Sequence, residues 1–479
     1  MTNSDISNHL SKTGEIRFGT DGWRAVIGDM FTIENLKIIA QAISDHLCKS
    51  TGNSASVAVG YDTRFMSEEF AGIVAEILAA NKINVLLSRD VIPTPIVSFT
   101  VKHHRLDAGI VLTSSHNPFF YHGLKFKSPF GGPASIEMTA RIEYYLHNRR
   151  PCTSGSHTGT YKEVTDFFPD YKQHVMNLLN MDHLSRYKNT IYFDPMYGAG
   201  QGILQKLLSD VHLRIESLHS ERNPMFGGLY PEPIPYNLAE LKKMITEHPG
   251  NIGIATDGDA DRFGVLDHRG NYVAVHELLA LLFNYLWDVR TWRGQVVRST
   301  SLVGSVDSLA AKRGAEVQEV PVGFKHIAEE MISSSTIIGA EESGGFGYGM
   351  HIPERDGLLS SLLLIELLGY YESDIVQLIT ELRREIGTKA YNRIDFYYPT
   401  ALLQERMESL KRKAPDRFGH YKIDSTDEKD GLKFYFKNGG WMLIRVSATE
   451  PMGRIYATGP TDKVVQDLLS IGRKLMTED

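Results

Sequence analysis

Short apolar runs recur along the chain, each followed by a polar or glycine-rich turn and then by helical spacing. Val57 to Gly60 leads through the polar turn Tyr61, Asp62, Thr63, Arg64 into a helical pattern ending near Ala80. A second run, Ile83 to Leu87, stops short of Pro93 and Pro95, and a third, Ala108 to Leu112, follows. The plan returns with Ile191 to Phe193, a helix to Leu208, then Leu213 to Ser217 and Ile252 to Ala255. It returns again with Val296 to Val297, a helix through Ala311, then Glu316 to Val320 and Ile337 to Gly339. Strands alternating with helices of this length predict βαβ units and mainly parallel sheets.

Each third strand runs into a polar loop: Thr113 to Pro118, Asp257 to Arg262, and Glu341 to Gly345. Sites in open α/β sheets form beyond the carboxyl ends of strands, so three equivalent loops are expected to face one cleft. After about Gly387 the pattern changes. Ala401 to Ala414 and Val464 to Met476 have helical spacing. Leu432 to Lys437 and Trp441 to Val446 read as strands joined by the hairpin signal Asn438-Gly439-Gly440. The expected fold is three repeated α/β domains with mainly parallel mixed sheets plus a C-terminal α+β domain, arranged around a central cleft. Boundaries are expected near residues 160, 268 and 386.

Length agrees, because 479 residues exceed one core and suit about three or four domains. A net charge of −7 opposes general attraction to nucleic acid or anionic membrane. Two cysteines, Cys48 and Cys152, form no CxxC pair, which fits a reducing compartment. Met1 to Lys12 lacks the order of a signal peptide, and no window offers the ~18 apolar residues of a membrane helix. The most apolar stretch, Gly357 to Tyr371, is interrupted by Ser360, Ser361 and Glu366. A cytoplasmic protein is expected.

The series Asp257, Asp259, Asp261 is chemically demanding. Alternate residues of an extended loop point one way, and two carboxylates ~4 Å apart repel by roughly 4 kcal/mol at an effective dielectric of 20. A bound cation removes that cost, and all-oxygen ligation selects Mg²⁺, Ca²⁺ or Mn²⁺. This is no EF-hand, since the twelfth position from Asp257 is His268. The alternative is a solvated acidic turn, which an apolar strand leading straight into the loop disfavours.

Ser115, beside His116, lies in a loop whose small neighbours leave its hydroxyl accessible; an ordinary Ser/Asn turn is the plain alternative. A serine hydrolase would want the GxSxG elbow, absent here. Against the Asp loop, a phosphorylated Ser115 becomes sensible chemistry. Basic residues flank these loops: Arg24 in a glycine-containing turn, Lys125, Arg262, and Arg445 with the hydroxyls of Ser447 and Thr449. No GxxxxGK[ST] or GxGxxG motif supports nucleotide binding.

Taken together from Phe18 to about Gly459, these motifs resemble the α-D-phosphohexomutase family of phosphoglucomutases, phosphomannomutases and phosphoglucosamine mutases. The resemblance implies that Ser115 carries the phosphoryl group and that Ser115, Asp257, Asp259 and Asp261 hold Mg²⁺. It implies catalytic roles for Lys125, Arg24 and His116, with Lys125 the candidate base through a pKa lowered by nearby cations. Substrate contacts would come from Arg262, Lys325, Glu341, Ser343 and Arg355, and a phosphate clamp from Arg445, Ser447 and Thr449. Phospho-Ser115 would pass its phosphoryl to a hexose monophosphate, giving hexose 1,6-bisphosphate, whose other phosphate then returns to Ser115. Glucose 1,6-bisphosphate is accordingly the expected activator.

Three departures stand out. Gly345 replaces a histidine or aromatic residue, Arg355 stands where many relatives have lysine, and Ala448 replaces a glycine of the clamp. The Glu341-Glu342-Ser343 form is closer to glucose-preferring relatives, so a phosphoglucomutase is expected, with Gly345 leaving a gap near C2 and leakage to mannose. Alternatives are a phosphomannomutase or dual-specificity enzyme, a bisphosphate synthase, or a non-enzymatic sugar-phosphate sensor, which would lose Ser115 or a metal carboxylate. A small hexose phosphate is the expected partner, with no nucleic acid or membrane, for a monomer or homodimer.

Overall fold

In the computed structural model the central apolar runs become strands buried on both faces, as parallel sheets covered by helices require, while Ile215–Ser217 and Val317–Val320 lie at sheet edges and stay partly exposed. It describes residues 16–19, 21–51, 55–146, 161–164 (backbone only), 166–248, 251–437, 439–447 and 451–478. The first sheet comprises β1 (Trp23–Val26), β2 (Ser56–Tyr61), β3 (Asn84–Ser88), β4 (Ala108–Leu112), β5 (Tyr121–Lys127) and β6 (Tyr161–Val164). The second comprises β7 (Ile191–Asp194), β8 (Ile215–Ser217), β9 (Ile252–Thr256) and β10 (Phe263–Leu266). The third comprises β11 (Gln295–Ser299), β12 (Val317–Val320), β13 (Thr336–Ala340) and β14 (Phe346–Tyr348). Their orders, β5-β4-β2-β3, β10-β9-β7-β8 and β14-β13-β11-β12, are the same order three times, and the first sheet adds β1 and β6 at its edges. β6 carries the first sheet beyond residue 160.

The repeat has a feature that apolar runs alone did not reveal. β4, β9 and β13 each pair antiparallel with the strand that follows them: β5, β10 and β14. Each polar loop is therefore a short link between hydrogen-bonded neighbours, anchored at both ends. These return strands escaped the apolar reading because β5 carries Lys125 and Lys127, and because β10 and β14 are only four and three residues long.

The helix Gly357–Tyr371 is buried along nearly its whole length, which explains its composition. Asp356 caps it by accepting the Leu359 N–H at 2.8 Å. Ser360 and Ser361 return their hydroxyls to carbonyls four residues back, and buried Glu366 is paired with Arg290. Its leucines join one core cluster with residues of the first and second domains, so the three sheets share packing.

The C-terminal domain is an antiparallel sheet in the order β15-β20-β19-β18-β17-β16: β15 (Ala390–Tyr397), β16 (Arg417–Phe418), β17 (Tyr421–Asp427), β18 (Leu432–Phe436), β19 (Trp441–Val446) and β20 (Met452–Gly459). The helices Thr400–Arg412 and Asp462–Thr477 contribute to its core. β18 and β19 pair at the expected hairpin, though Asn438 itself lies outside the described residues. Among the described residues no helix is long and apolar enough to cross a membrane.

Candidate active site

Strand β4, buried at every position, delivers the loop that carries Ser115. Thr113 Oγ1 accepts the Ser115 N–H at 2.9 Å, and Ser115 adopts the left-handed region with φ +51°. Its hydroxyl is fully buried and donates to Asp257 Oδ2 at 2.8 Å, while His116 Nδ1 stands 3.4 Å away. The first and second site loops thus meet. Gly258 permits the approach, since a Cβ there would lie 2.4 Å from the Ser115 carbonyl oxygen.

The three aspartates converge, but not by the alternation expected of extended chain. Asp257 to Arg262 is a tight turn in which the Ala260 N–H bonds the Asp257 carbonyl at 3.0 Å, with Ala260 at φ +58°. All three carboxylates are buried, with candidate ligand oxygens within 4.8 Å of one another. Asp259 Oδ1 and Asp261 Oδ1 find no hydrogen-bond partner among the described residues. Burial, followed by the Asp261 and Asp259 charges, pushes the Asp257 carboxyl well above its ordinary range. Orphaned buried carboxylate oxygens beside a strained acid are what a hard divalent cation would relieve, so the donor set fits Mg²⁺.

Lys125, on β5, corrects an expectation. Its ammonium lies 2.8 Å from Asp21, 2.8 Å from Asp259 and 2.7 Å from Asp261. Burial alone would lower its pKa, but these carboxylates outweigh burial and raise it. The lysine is charged and paired, not deprotonated by cationic neighbours. Asp21, overlooked in the sequence, also takes Arg355 at 2.6 Å and Lys127 at 3.3 Å, and Lys127 pairs with buried Glu354 at 2.6 Å.

Arg355 reaches Asp261 at 2.7 Å and Glu341 at 3.2 Å. It also explains Gly345: a Cβ at that position would meet Arg355 Cδ at 2.4 Å. The anticipated gap is therefore filled by the arginine stem. Glu341 accepts the Gly323 N–H at 3.1 Å, and burial raises its pKa against the opposing pull of Arg355. Ser343 is half-buried in the same turn. Arg262 bridges to Gly345, and the Phe263 N–H bonds the Gly344 carbonyl at 2.9 Å, so the second and third loops are stitched through main chain.

Arg24 donates to Asn117 Oδ1 at 2.7 Å beside the Ser115 loop. His116 is held well below its ordinary pKa, first by burial and then by Arg262, Arg24, Arg393 and Arg454. The last two come from β15 and β20, and sequence reasoning missed them because strand-borne arginines look like surface charges. Arg445, on β19, pairs with Asp430 at 2.9 Å, and Asp430 in turn accepts the Val322 N–H at 2.7 Å. That contact sets Arg445 against the third-domain segment from Val322 to Lys325, the last at the start of the helix Phe324–Ser333. Ser447 follows β19, its N–H bonding the Met452 carbonyl at 2.9 Å, whereas Thr449 and Ala448 lie outside the described residues.

Comparison with known proteins places this architecture among the sugar-phosphate mutases. Residues 15–151, 169–270 and 275–386 match the alpha/beta/alpha domains I, II and III of phosphoglucomutase/phosphomannomutase, respectively. A crystal structure from Thermus thermophilus, provisionally described as a phosphomannomutase, shares 35% identity and superposes with a TM-score of 0.84, covering 96% of this chain and 98% of the other. A phosphoglucomutase/phosphomannomutase of Thermococcus kodakarensis is 26% identical over 96% of this chain and 98% of its own length. A Pyrococcus abyssi protein, provisionally described as a phosphoglucosamine mutase, is 28% identical over 96% and 98%. The chain belongs to the phosphoglucomutase/phosphomannomutase family, and it is an isomerase of the phosphohexomutase type.

Proposed function

We propose that this enzyme interconverts glucose 1-phosphate and glucose 6-phosphate through phospho-Ser115 and glucose 1,6-bisphosphate. The observation that carries the reading is the Ser115 hydroxyl, 2.8 Å from a carboxylate of a buried aspartate cluster that fits Mg²⁺. A cation held by Asp257, Asp259, Asp261 and Ser115 would supply charge neutralisation to the phosphoryl group in transfer. The phosphoryl leaves Ser115 Oγ for the free sugar hydroxyl; the O–P bond to serine breaks as that to the sugar forms. The bisphosphate then reverses end for end, and its other phosphoryl returns to Ser115.

The hydroxyl proton is assigned to His116 rather than to Lys125. Lys125 is tied up by Asp21, Asp259 and Asp261, whereas His116 is kept neutral by burial and four arginines. Phosphate arriving against those arginines offsets their charge and makes the imidazole a stronger base. Lys125 and Arg24 act as charge stabilisers. Glu341 and Ser343 read sugar hydroxyls, while Arg262, Lys325 and Arg355 shape the substrate's surroundings. Arg445, Ser447 and Thr449 grip the non-reacting phosphate.

The sugar rests on the Glu341-Glu342-Ser343 form and on Arg355. The Arg355 stem fills the space over Gly345, and its cationic head, held by Asp21, Asp261 and Glu341, disfavours the ammonium of a glucosamine phosphate. Relatives described as phosphoglucosamine mutases favour that amino sugar as the second reading. Measuring kcat/KM for the 1-phosphates of glucose, mannose and glucosamine decides it: the highest value is expected for glucose, and a clear excess for either other sugar overturns the assignment.

A further inference from the structure

Arg64 lies in the polar turn after β2, and its side chain is fully buried. Each of the five guanidinium N–H groups meets an acceptor. Nε–H donates to Asp62 Oδ2 at 3.1 Å. Nη1 donates to the carbonyls of Pro118 at 2.9 Å and Tyr121 at 3.1 Å. Nη2 donates to those of Ser115 and Asn117, both at 2.7 Å. Three of the five acceptors are thus main-chain oxygens of the Ser115 loop, one of them that of Ser115 itself, and a fourth is that of Tyr121, where β5 begins.

The arginine is itself held. Asp62 neutralises it, and Asp62 Oδ1 accepts both the Arg64 N–H at 2.9 Å and the Ser67 hydroxyl at 2.8 Å. The ring of Phe226, from the second domain, lies 4.8 Å from the guanidinium carbon. Burying a cation costs several kcal/mol unless it is paired and fully hydrogen-bonded, and here it is both.

What this arrangement serves is Ser115, whose φ of +51° costs a non-glycine residue about 1–2 kcal/mol. Such a conformation persists only where the surroundings over-determine it. Thr113 fixes the Ser115 N–H, and Arg64 fixes its carbonyl and the carbonyls that follow. We propose that Arg64 is the positioning residue of phosphoryl transfer. It sets the Ser115 hydroxyl against Asp257 by gripping the loop's main chain, without touching substrate. The inference rests on reading Ser115 as the phosphoryl carrier.

Its test is Arg64→Lys, since an ammonium cannot reproduce a five-pronged grip. A misplacement of roughly 1 Å costs about 100-fold, so kcat should fall by about that factor. KM should stay within about twofold, because the groups assigned to sugar and distal phosphate, Glu341, Ser343 and Arg445, are untouched. Single-turnover transfer from phospho-Ser115 to the hexose phosphate should slow in parallel with kcat, while loss of that phosphate to water should not. Ser67→Ala, which removes the hydroxyl's bonds to Asp62 and to His122 but leaves Arg64 in place, should lower kcat about threefold at constant KM.

A purely structural arginine would instead lower Tm and leave kcat within about threefold at temperatures where the variant is folded. That result, or a loss expressed in KM, overturns the proposal. If Arg64→Lys does not fold, Ser67→Ala decides alone, and unchanged kcat refutes the assignment. Failure of the underlying reading looks different: wild-type enzyme would then accept no phosphate on Ser115 from glucose 1,6-bisphosphate.

Discussion

The proposed reacting centre around Ser115 and the proposed C-terminal phosphate clamp are built in opposite ways. Around Ser115 the loops are cross-linked and mostly buried: Gly258 against the Ser115 carbonyl, the Thr94 N–H on the Asp259 carbonyl at 3.0 Å, and the Phe263 N–H on Gly344. Arg445 instead keeps 17% of its side chain exposed and pairs with one aspartate. Its domain docks on the third through a small apolar cluster of Val303 with Trp441, Leu443 and Tyr456, together with Asp430 and Lys433. The difference suits the proposed chemistry. Phosphoryl transfer needs one geometry held to fractions of an ångström, whereas a clamp must accept either end of a sugar bisphosphate.

If the centre is the rigid chemical half, its changes should abolish turnover, and clamp changes should only weaken it. Ser115→Ala should fold and lose essentially all mutase activity, because covalent transfer needs an oxygen there. Full activity in that variant would remove the phosphoserine scheme. Chelation by EDTA should stop turnover and Mg²⁺ restore it, and Asp259→Asn should lose at least about tenfold at matched Mg²⁺. Unchanged activity after chelation would reduce the Asp loop to a buried ionic cluster. Arg445→Ala removes a charge-assisted contact of about 1.5–3 kcal/mol, so kcat/KM should fall at least about tenfold. A loss limited to Tm would make Arg445 a docking residue instead.

The smallest effect concerns the docking contact itself. Lys433 Nζ donates to the Thr300 carbonyl at 2.8 Å, and burial, opposed by Glu319, lowers its pKa to about 8. The unfolded chain, with an ordinary lysine near 10.5, binds more protons than the folded one between pH 8 and 10.5. This group's contribution to stability should therefore rise with pH across that window and be flat below it. Thermal unfolding of wild type and Lys433→Met should show the slope shrinking in the variant. An identical slope in both would mean that Lys433 titrates normally.

The repeat and the three site loops were legible because apolar runs and polar loop residues are local patterns. Ser115, the aspartates and Arg262 could be picked out on that basis. The return strand β5 was not, since its lysines face buried carboxylates from other segments rather than water. Lys125 was misjudged for the same reason: its neighbours Asp21, Asp259 and Asp261 are distant in the chain. Gly345 read as a gap because nothing local announces that Arg355 fills it. Asp62 and Arg64 were visible only as a polar turn.

By itself the sequence determined the βαβ periodicity, the composition of each loop, and the family, all of which depend on residue type and spacing. Tertiary structure alone decided which charges face one another, hence which groups are protonated and which main-chain atoms hold the serine. The reason is physical. Periodicity follows from neighbours along one chain, while pKa and side-chain placement depend on burial and on charges a few ångströms away in space. Lys125 shows the gap between the two, being cationic here because three carboxylates from two distant segments close around it.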